Sequence, residues 1–359
     1  MTNYKKICVL NFITITVGDS LYLLPLLQKL KKTYPSSKIT LTGSEITKQV
    51  IGDEKSINEY ITIQNLERLD KKTSKIKKIF LFKQIFFSTL KKIKRKNFDL
   101  AIVLLPNFFP YQTLPWLARI PERIGFTYPN SLFSFLLTKK TPFRNPYTTK
   151  DIVHLSDENL DILKLLDIKI TKDDTLLKRN VTKEEAKKAK KILKKLKKPF
   201  YAFQPCAKHK NRQWPPSGFV EIGKKILKEK KGTILLIGSP KEKIILEKIR
   251  EKIGNGCINL AGKTSIDVLA AVLRECKIVI GNDSGIMHLA ASVGAQTAVL
   301  FGSSNPNHSK PKGEKEAIII KAKSWHENAI FEKENKNVVS NYLLDISPEF
   351  VWKKIEKHL

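Results

Sequence analysis

Three stretches of this 359-residue chain gather charged, hydroxyl-bearing and small residues directly after apolar runs. The most distinctive is GNDSGIMHLAASVGA, residues 281–295, which follows KIVI. An acid, a hydroxyl and a glycine stand where a strand gives way to a small-residue helix. Asp283 or Ser284 can cap that helix by accepting a backbone N–H. The same helix start, with its free N–H groups and partial positive charge, can instead receive a phosphate or carboxylate. Gly285, Ala290, Ala291, Ser292 and Gly294 let the helix lie close to a sheet. His288, one turn in, is either a packing histidine or a neighbour of the bound anion. LAGKTSIDVLAAVLREC (260–276) precedes this block with a second helix start at Thr264 and Ser265, and FGSSNPNHSKP (301–311) follows it.

The second stretch is CAKHKNRQWPPSGFVEIGKKIL (206–227). It sets Lys208, Lys210 and Arg212 on a loop, and Trp214, Pro215 and Pro216 stiffen the approach to a helix with Ser217 as its expected cap. Cations beside a stiff loop suit an anionic phosphate, although an ordinary exposed basic loop reads the same way. The third is TVGDSLYLLPLL (16–27), where Gly18 allows a tight turn and Asp19 lies at the mouth of a helix. Asp19 either caps that helix or removes a proton from an attacking hydroxyl.

Such groups work together only if the fold brings strand ends to a common edge. KICVLNF, KITLTG and DLAIVLL read as strands in the first half of the chain. FYAFQP, TILLIGS, CINLAG, KIVIGN and QTAVLFG do so in the second, with helix-length stretches between them. This alternation predicts α/β architecture: two doubly wound, Rossmann-like parallel-sheet domains facing a cleft, with ligands just past the strand ends. The expected domains are 1–175 and 176–345, and a C-terminal helix over 346–359 is expected to pack back on the first domain. Thr182 and Glu185 form a capping box near the boundary, and Ser347 with Pro348 opens the last helix.

A formal net charge of +32 fits a polyanionic partner, yet only nine of 66 basic residues are arginine and many lysines lie in runs such as KKAKKILKKLKKP (187–199). Such runs read as solvated helix faces. No basic-aromatic stripe or known binding module supports nucleic acid as partner. Neither G-x-G-x-x-G nor G-x-x-x-x-G-K-[ST] occurs, which argues against nicotinamide and P-loop chemistry. Cys8, Cys206, Cys257 and Cys276 are far apart and form no C-x-x-C, so neither zinc nor a disulfide framework is expected and a reducing cytoplasm is. The start MTNYKKICVLNF reads as a lysine-led strand, not a signal peptide. Residues 100–120 are apolar but broken by Pro106, Pro110 and Pro115, so they are not a membrane span. The segment KIKKIFLFKQIFFSTLKKIKRK (75–96) is either an interfacial helix on an anionic membrane or a helix packed on its own sheet with lysines at its rim.

Taken in chain order, the three stretches, with AIVLLPNFFPYQTLPWLARIPERIGF (101–126) between 16–27 and 206–227, resemble the ADP-heptose:lipopolysaccharide heptosyltransferases, glycosyltransferase family 9, nearest to the second-heptosyltransferase type. The resemblance runs nearly end to end, and NDSGxMHLAA with the upstream GKTS is its most specific part. It implies a GT-B enzyme whose first domain holds a lipid-linked acceptor and whose second holds the nucleotide sugar. It implies inverting transfer of heptose from ADP-L-glycero-D-manno-heptose to the inner core of lipopolysaccharide or lipooligosaccharide, with no metal or other cofactor. Carried over by residue, Asp19 is the general base with Thr16 and Gly18 on the acceptor side. Arg212 meets the diphosphate, and Asp283, Ser284, Gly285 and His288 meet phosphate or sugar. Lys208, Lys263 and Thr264 complete the expected donor side. The implied partners are ADP-heptose, a phosphorylated lipid A–Kdo core and the anionic inner-membrane surface, with the protein cytoplasmic and peripheral. Where ITVGD stands, family members often carry a serine-rich turn before the GD. A related transferase with another nucleotide sugar, or with a capsule or O-chain acceptor, is the same-fold alternative; a basic nucleic-acid-binding protein is the alternative of another class.

Overall fold

FYAFQ, the first strand-like run of the second half, is buried at all five positions, as a strand covered on both faces must be. In the computed structural model it is β7, near the middle of the second of two parallel sheets. Residues 3–11, 16–63, 74–104, 109–127, 132–144, 153–302, 304–322 and 342–359 are described, with Lys75, Lys78 and residues 109–111 described by backbone only. The chain divides into Met1–Thr175 and Leu176–Leu359.

The first unit contains β1 (Lys6–Leu10), β2 (Lys38–Gly43), β3 (Glu59–Thr62), β4 (Leu100–Val103), β5 (Glu122–Thr127) and β6 (Lys139–Pro142), ordered β3-β2-β1-β4-β5-β6. The second contains β7 (Phe200–Gln204), β8 (Thr233–Leu236), β9 (Cys257–Asn259), β10 (Cys276–Asn282), β11 (Gln296–Phe301) and β12 (Ile318–Lys321), ordered β12-β11-β10-β7-β8-β9. All pairings in both sheets are parallel. Each unit is therefore a doubly wound sheet with one reversal of strand order, between β1 and β4 in the first and between β7 and β10 in the second. Such a reversal opens a crevice at the carboxyl ends of the two strands.

The eight strands expected from apolar runs all form. β3, β5, β6 and β12 are additional; three of them are edge strands, and β3 and β6 are largely exposed, so they lack the apolar run that marks a buried strand. The Thr182–Glu185 capping box forms as expected at the start of the helix Lys183–Leu193, and Ser347 caps the helix Pro348–Ile355 by accepting the Phe350 N–H at 3.1 Å.

The expectation that this last helix returns to the first domain is wrong. Val351, Trp352, Ile355 and Leu359 belong to the second unit's core, and the Lys225 ammonium lies 4.4 Å from the Trp352 ring centroid. The reason is local: the helix packs on the helix Pro216–Glu229, and just before it the Trp214 indole N–H donates to the Ile346 carbonyl at 2.8 Å. All four cysteines are free and buried, and burial pushes the thiols up, to about 12 for Cys206 and Cys257, which leaves them as small apolar fillers.

Candidate active site

The crevice of the second unit is built by the segments leaving β7 and β10. Asn282, the last residue of β10 and fully buried, pins the two together. Its amide donates to the Pro205 carbonyl at 2.6 Å, and its Oδ1 accepts the Trp214 backbone N–H at 2.9 Å. Trp214, 1% exposed, fills the space beneath and fixes the short turn Lys210–Arg212 that precedes it. Gly218 makes this possible: a Cβ there would meet the Trp214 ring at 2.3 Å. Ser217, the expected cap, instead lies within the first turn of the helix Pro216–Glu229, whose cap position is Pro215. A proline in the first turn starts this helix without a side-chain cap.

That scaffold brings Arg212 to Asp283. Arg212 Nη1 donates to Asp283 Oδ2 at 3.0 Å, and the Ser304 hydroxyl, on the segment after β11, donates to the same oxygen at 2.5 Å. Asp283 is 5% exposed and Ser304 7%, so the carboxylate sits in a largely dry environment where such bonds are strong. Arg212 Nε is buried and has no partner among the described residues. The guanidinium is thus held at one edge and retains a buried donor at the other.

Ser284 occupies the cap position of the helix Gly285–Ser292, but its hydroxyl donates to Gln204 Oε1 at 3.0 Å and caps nothing. Of the two readings of this helix start, side-chain capping by Asp283 or Ser284 is the one the geometry does not contain. Gly285 is the first helical residue, and His288 is buried within the helix. Gly281 is needed for close packing: a Cβ there would approach Gln204 Cβ at 2.8 Å and Met287 Sδ at 2.9 Å.

Lys263 and Thr264 lie on the crossover after β9, just before the helix Ile266–Arg274, which packs on the helix Gly285–Ser292. Ser265, not Thr264, takes the cap position of the helix Ile266–Arg274. Lys208 is exposed on the β7 segment. Three participants were not singled out from sequence: Gln204, Asn282 and Ser304. Their signal was weak, being polar residues at strand ends that look like ordinary turn residues until the strands are paired.

In the first unit Thr16 and Asp19 form a closed local pair. Thr16, in extended conformation, caps the helix Val17–Leu21: its Oγ1 accepts the Asp19 N–H at 3.2 Å and its hydroxyl donates to Asp19 Oδ2 at 2.6 Å. The cap is therefore Thr16, and the capping reading of Asp19 is corrected. Gly18 stands inside this helix and is not among the glycines of positive φ, so it makes no tight turn. The exposed Asp19 side chain has no partner at Oδ1 among the described residues. Residues 12–15, most of the stretch 105–111 and Ser303 lie outside what is described.

The family model of glycosyltransferase family 9 (heptosyltransferase) matches residues 86–339. The chain is 28% identical over 358 residues to lipooligosaccharide heptosyltransferase 2 of Haemophilus ducreyi, covering 96% of this chain and 97% of that protein. It superposes on the glycosyl transferase family 9 structure from Veillonella parvula with a TM-score of 0.84 at 23% identity, covering 100% and 98% of the two chains. It superposes on E. coli ADP-heptose lps heptosyltransferase II with a TM-score of 0.74 at 22% identity, covering 98% of each. The fold shared with these structures is GT-B. With the family match spanning well over half its length, the chain belongs to glycosyltransferase family 9, the heptosyltransferases.

Proposed function

We propose that this glycosyltransferase moves a heptose from ADP-L-glycero-D-manno-heptose to the inner core of lipopolysaccharide or lipooligosaccharide, with inversion at the anomeric carbon. The observation that carries the reading is the pairing, at the β7/β10 crevice, of a half-engaged Arg212 guanidinium with a helix start that no side chain caps. Both features favour a diphosphate. The names of the relatives supply the sugar and the acceptor class.

In this reading the second unit takes the donor and the first takes the acceptor. The acceptor hydroxyl oxygen attacks the anomeric carbon and its proton passes to Asp19, whose carboxylate the Thr16 hydroxyl orients through one oxygen. The bond from the anomeric carbon to the β-phosphate oxygen breaks, and ADP leaves with the bonding electron pair. Arg212 and the N–H groups at Gly285 meet the charge that grows on the leaving oxygen; being already fixed, they need little reorganisation. Asp283, a carboxylate, is assigned to holding Arg212 and to sugar hydroxyls, not to phosphate. His288 supports the helix start from within, and Lys208, Lys263 and Thr264 serve as outer members of the donor side. No metal enters the scheme, because Arg212 and the helix start meet the leaving-group charge. The protein works peripherally at the cytoplasmic face of the inner membrane, where a lipid-linked acceptor is presented.

The test is calorimetric titration with ADP-heptose, ADP-glucose, UDP-glucose and GDP-mannose, followed by transfer to a purified core acceptor and NMR of the product's anomeric centre. Selective binding of ADP-heptose and an inverted linkage are expected. Preference for another nucleotide sugar would discard the heptosyl donor, and transfer only to a capsule or O-chain intermediate would discard the core acceptor.

A further inference from the structure

The helix Lys75–Lys94 carries apolar residues on a packed face and on a second, exposed stripe. Ile85, Phe86 and Leu90 pack half-buried against the first unit's core, where Ile93 is buried. The exposed stripe, positions 76, 80, 83, 87, 91 and 94, follows helical three-and-four spacing and reads Ile, Phe, Lys, Phe, Lys, Lys. All six are exposed, with Ile76 at 82%, Phe80 at 67% and Phe87 at 62%. The Phe87 ring stands edge-on to Phe86 with centroids 5.5 Å apart, yet Phe80 and Phe87 leave most of their surface to solvent. The twenty residues of the helix contain no aspartate or glutamate.

The surface extends beyond this helix. The neighbouring helix Phe109–Leu117 exposes Trp116 and Leu117, and the adjoining segment 132–136 exposes Leu132 and Phe135. Among the described residues of the first unit, every large exposed apolar side chain lies on these three pieces. No described helix is long and apolar enough to cross a membrane.

We propose that this face docks on an anionic lipid bilayer. The helix Lys75–Lys94 lies in the plane of the interface, with Ile76, Phe80 and Phe87 entering the acyl boundary and Lys83, Lys91 and Lys94 meeting lipid phosphates. The intercalated lysines decide for lipid over a protein partner. A protein interface would have to desolvate Lys83 between two phenylalanines, and lysine is depleted from interface cores for that reason. A headgroup layer accepts the ammonium while the ring and stem sit deeper. The absence of any acid on the helix matches a negative surface. The inference deepens the membrane placement proposed above and rests on that placement, not on the transfer chemistry.

The test is co-sedimentation of the full chain with phosphatidylglycerol/phosphatidylethanolamine vesicles and with phosphatidylcholine vesicles. Transfer to a delipidated core oligosaccharide is measured in parallel. Binding to the anionic vesicles alone is expected, falling as salt rises. F80S/F87S should weaken it ~100-fold, about tenfold for each ring. K83E/K91E should weaken it at least ~25-fold, about fivefold for each lost cation. Transfer to the soluble acceptor should be unchanged in both. Should F80S/F87S fail to fold, K83E/K91E carries the test, since it alters only exposed charges. Equal sedimentation of parent and variants, or equal binding to phosphatidylcholine, overturns the proposal. So does a parental dimer that F80S/F87S dissociates without changing vesicle binding, which would assign the face to a second copy of the chain. Transfer without vesicle binding removes this surface and leaves the enzyme reading; vesicle binding without transfer does the reverse.

Discussion

Gly218→Ala adds one methyl group at the point where the second unit's core meets the candidate site. The new Cβ would lie 2.3, 2.4 and 2.7 Å from Trp214 Cζ2, Cη2 and Cε2, all well inside van der Waals contact. The ring has little freedom to give way. It is 1% exposed, stands edge-on to Phe219 with centroids 5.0 Å apart, and donates through its indole N–H to the Ile346 carbonyl. Overpacking of this kind costs ~1–3 kcal/mol, and a displaced indole forfeits a buried hydrogen bond worth ~1 kcal/mol. Alanine in a helix interior returns ~1 kcal/mol of backbone propensity, so the net loss is ~1–3 kcal/mol. For a unit of 184 residues this lowers the melting temperature by about 2–12 °C. Scanning calorimetry of Gly218→Ala beside Ser217→Ala measures it, since Ser217 is exposed on the same helix and gains the propensity without the clash. Because the Trp214 backbone N–H donates to Asn282 Oδ1, nucleotide-sugar affinity should fall in the glycine variant and hold in the serine variant. If Gly218→Ala melts at or above the parent temperature, the packing argument for the Arg212 turn fails.

Three further outcomes follow from the geometry. Asp19→Asn should lower turnover by ~100-fold or more at unchanged donor affinity; equal losses of donor affinity and of thermal stability would show instead that the residue is structural. Arg212→Ala should weaken donor binding and slow transfer together, by ~10-fold to ~150-fold in binding, the range for a hydrogen bond to a charged group; calorimetry showing unchanged donor affinity would remove Arg212 from the site. Glu158 is buried, and burial pushes its carboxyl up to about 7 against the pull of the Arg144 backbone N–H and guanidinium. Between the ordinary value of 4.5 and about 7 the folded chain therefore keeps a proton that the unfolded chain has lost, so this group's contribution to stability falls as pH rises through that window. Glu158→Gln should flatten that slope, and denaturation curves that stay parallel to the parent's from pH 4 to 8 would contradict the assignment.

Apolar runs in the sequence were enough to find β1, β2, β4 and β7–β11, because a strand covered on both faces has no choice but to be apolar along its length. Capping chemistry was equally legible at Thr182 and Ser347, where donor and acceptor are three residues apart. β6, reading KKTP, carried no such signal: an edge strand with its side chains in water can hold two lysines and a proline. The C-terminal helix was found, but its partner was not, since an amphipathic face specifies that it must be buried and not against what.

The site divides along the same line. Residue types and order alone marked Asp19, Arg212 and the Asp283–His288 block as the places where chemistry could reside, because a carboxylate, a guanidinium and a helix start keep those properties in any context. Only the tertiary structure decided who holds whom. Strand pairing of β7 with β10 sets Arg212 on Asp283, 71 residues away, lets Ser304 join from the end of β11, and turns the Ser284 hydroxyl from its own helix to Gln204. Local rules reach only three or four residues along a chain; contacts across a sheet obey register, and register is settled by the packing of the whole unit.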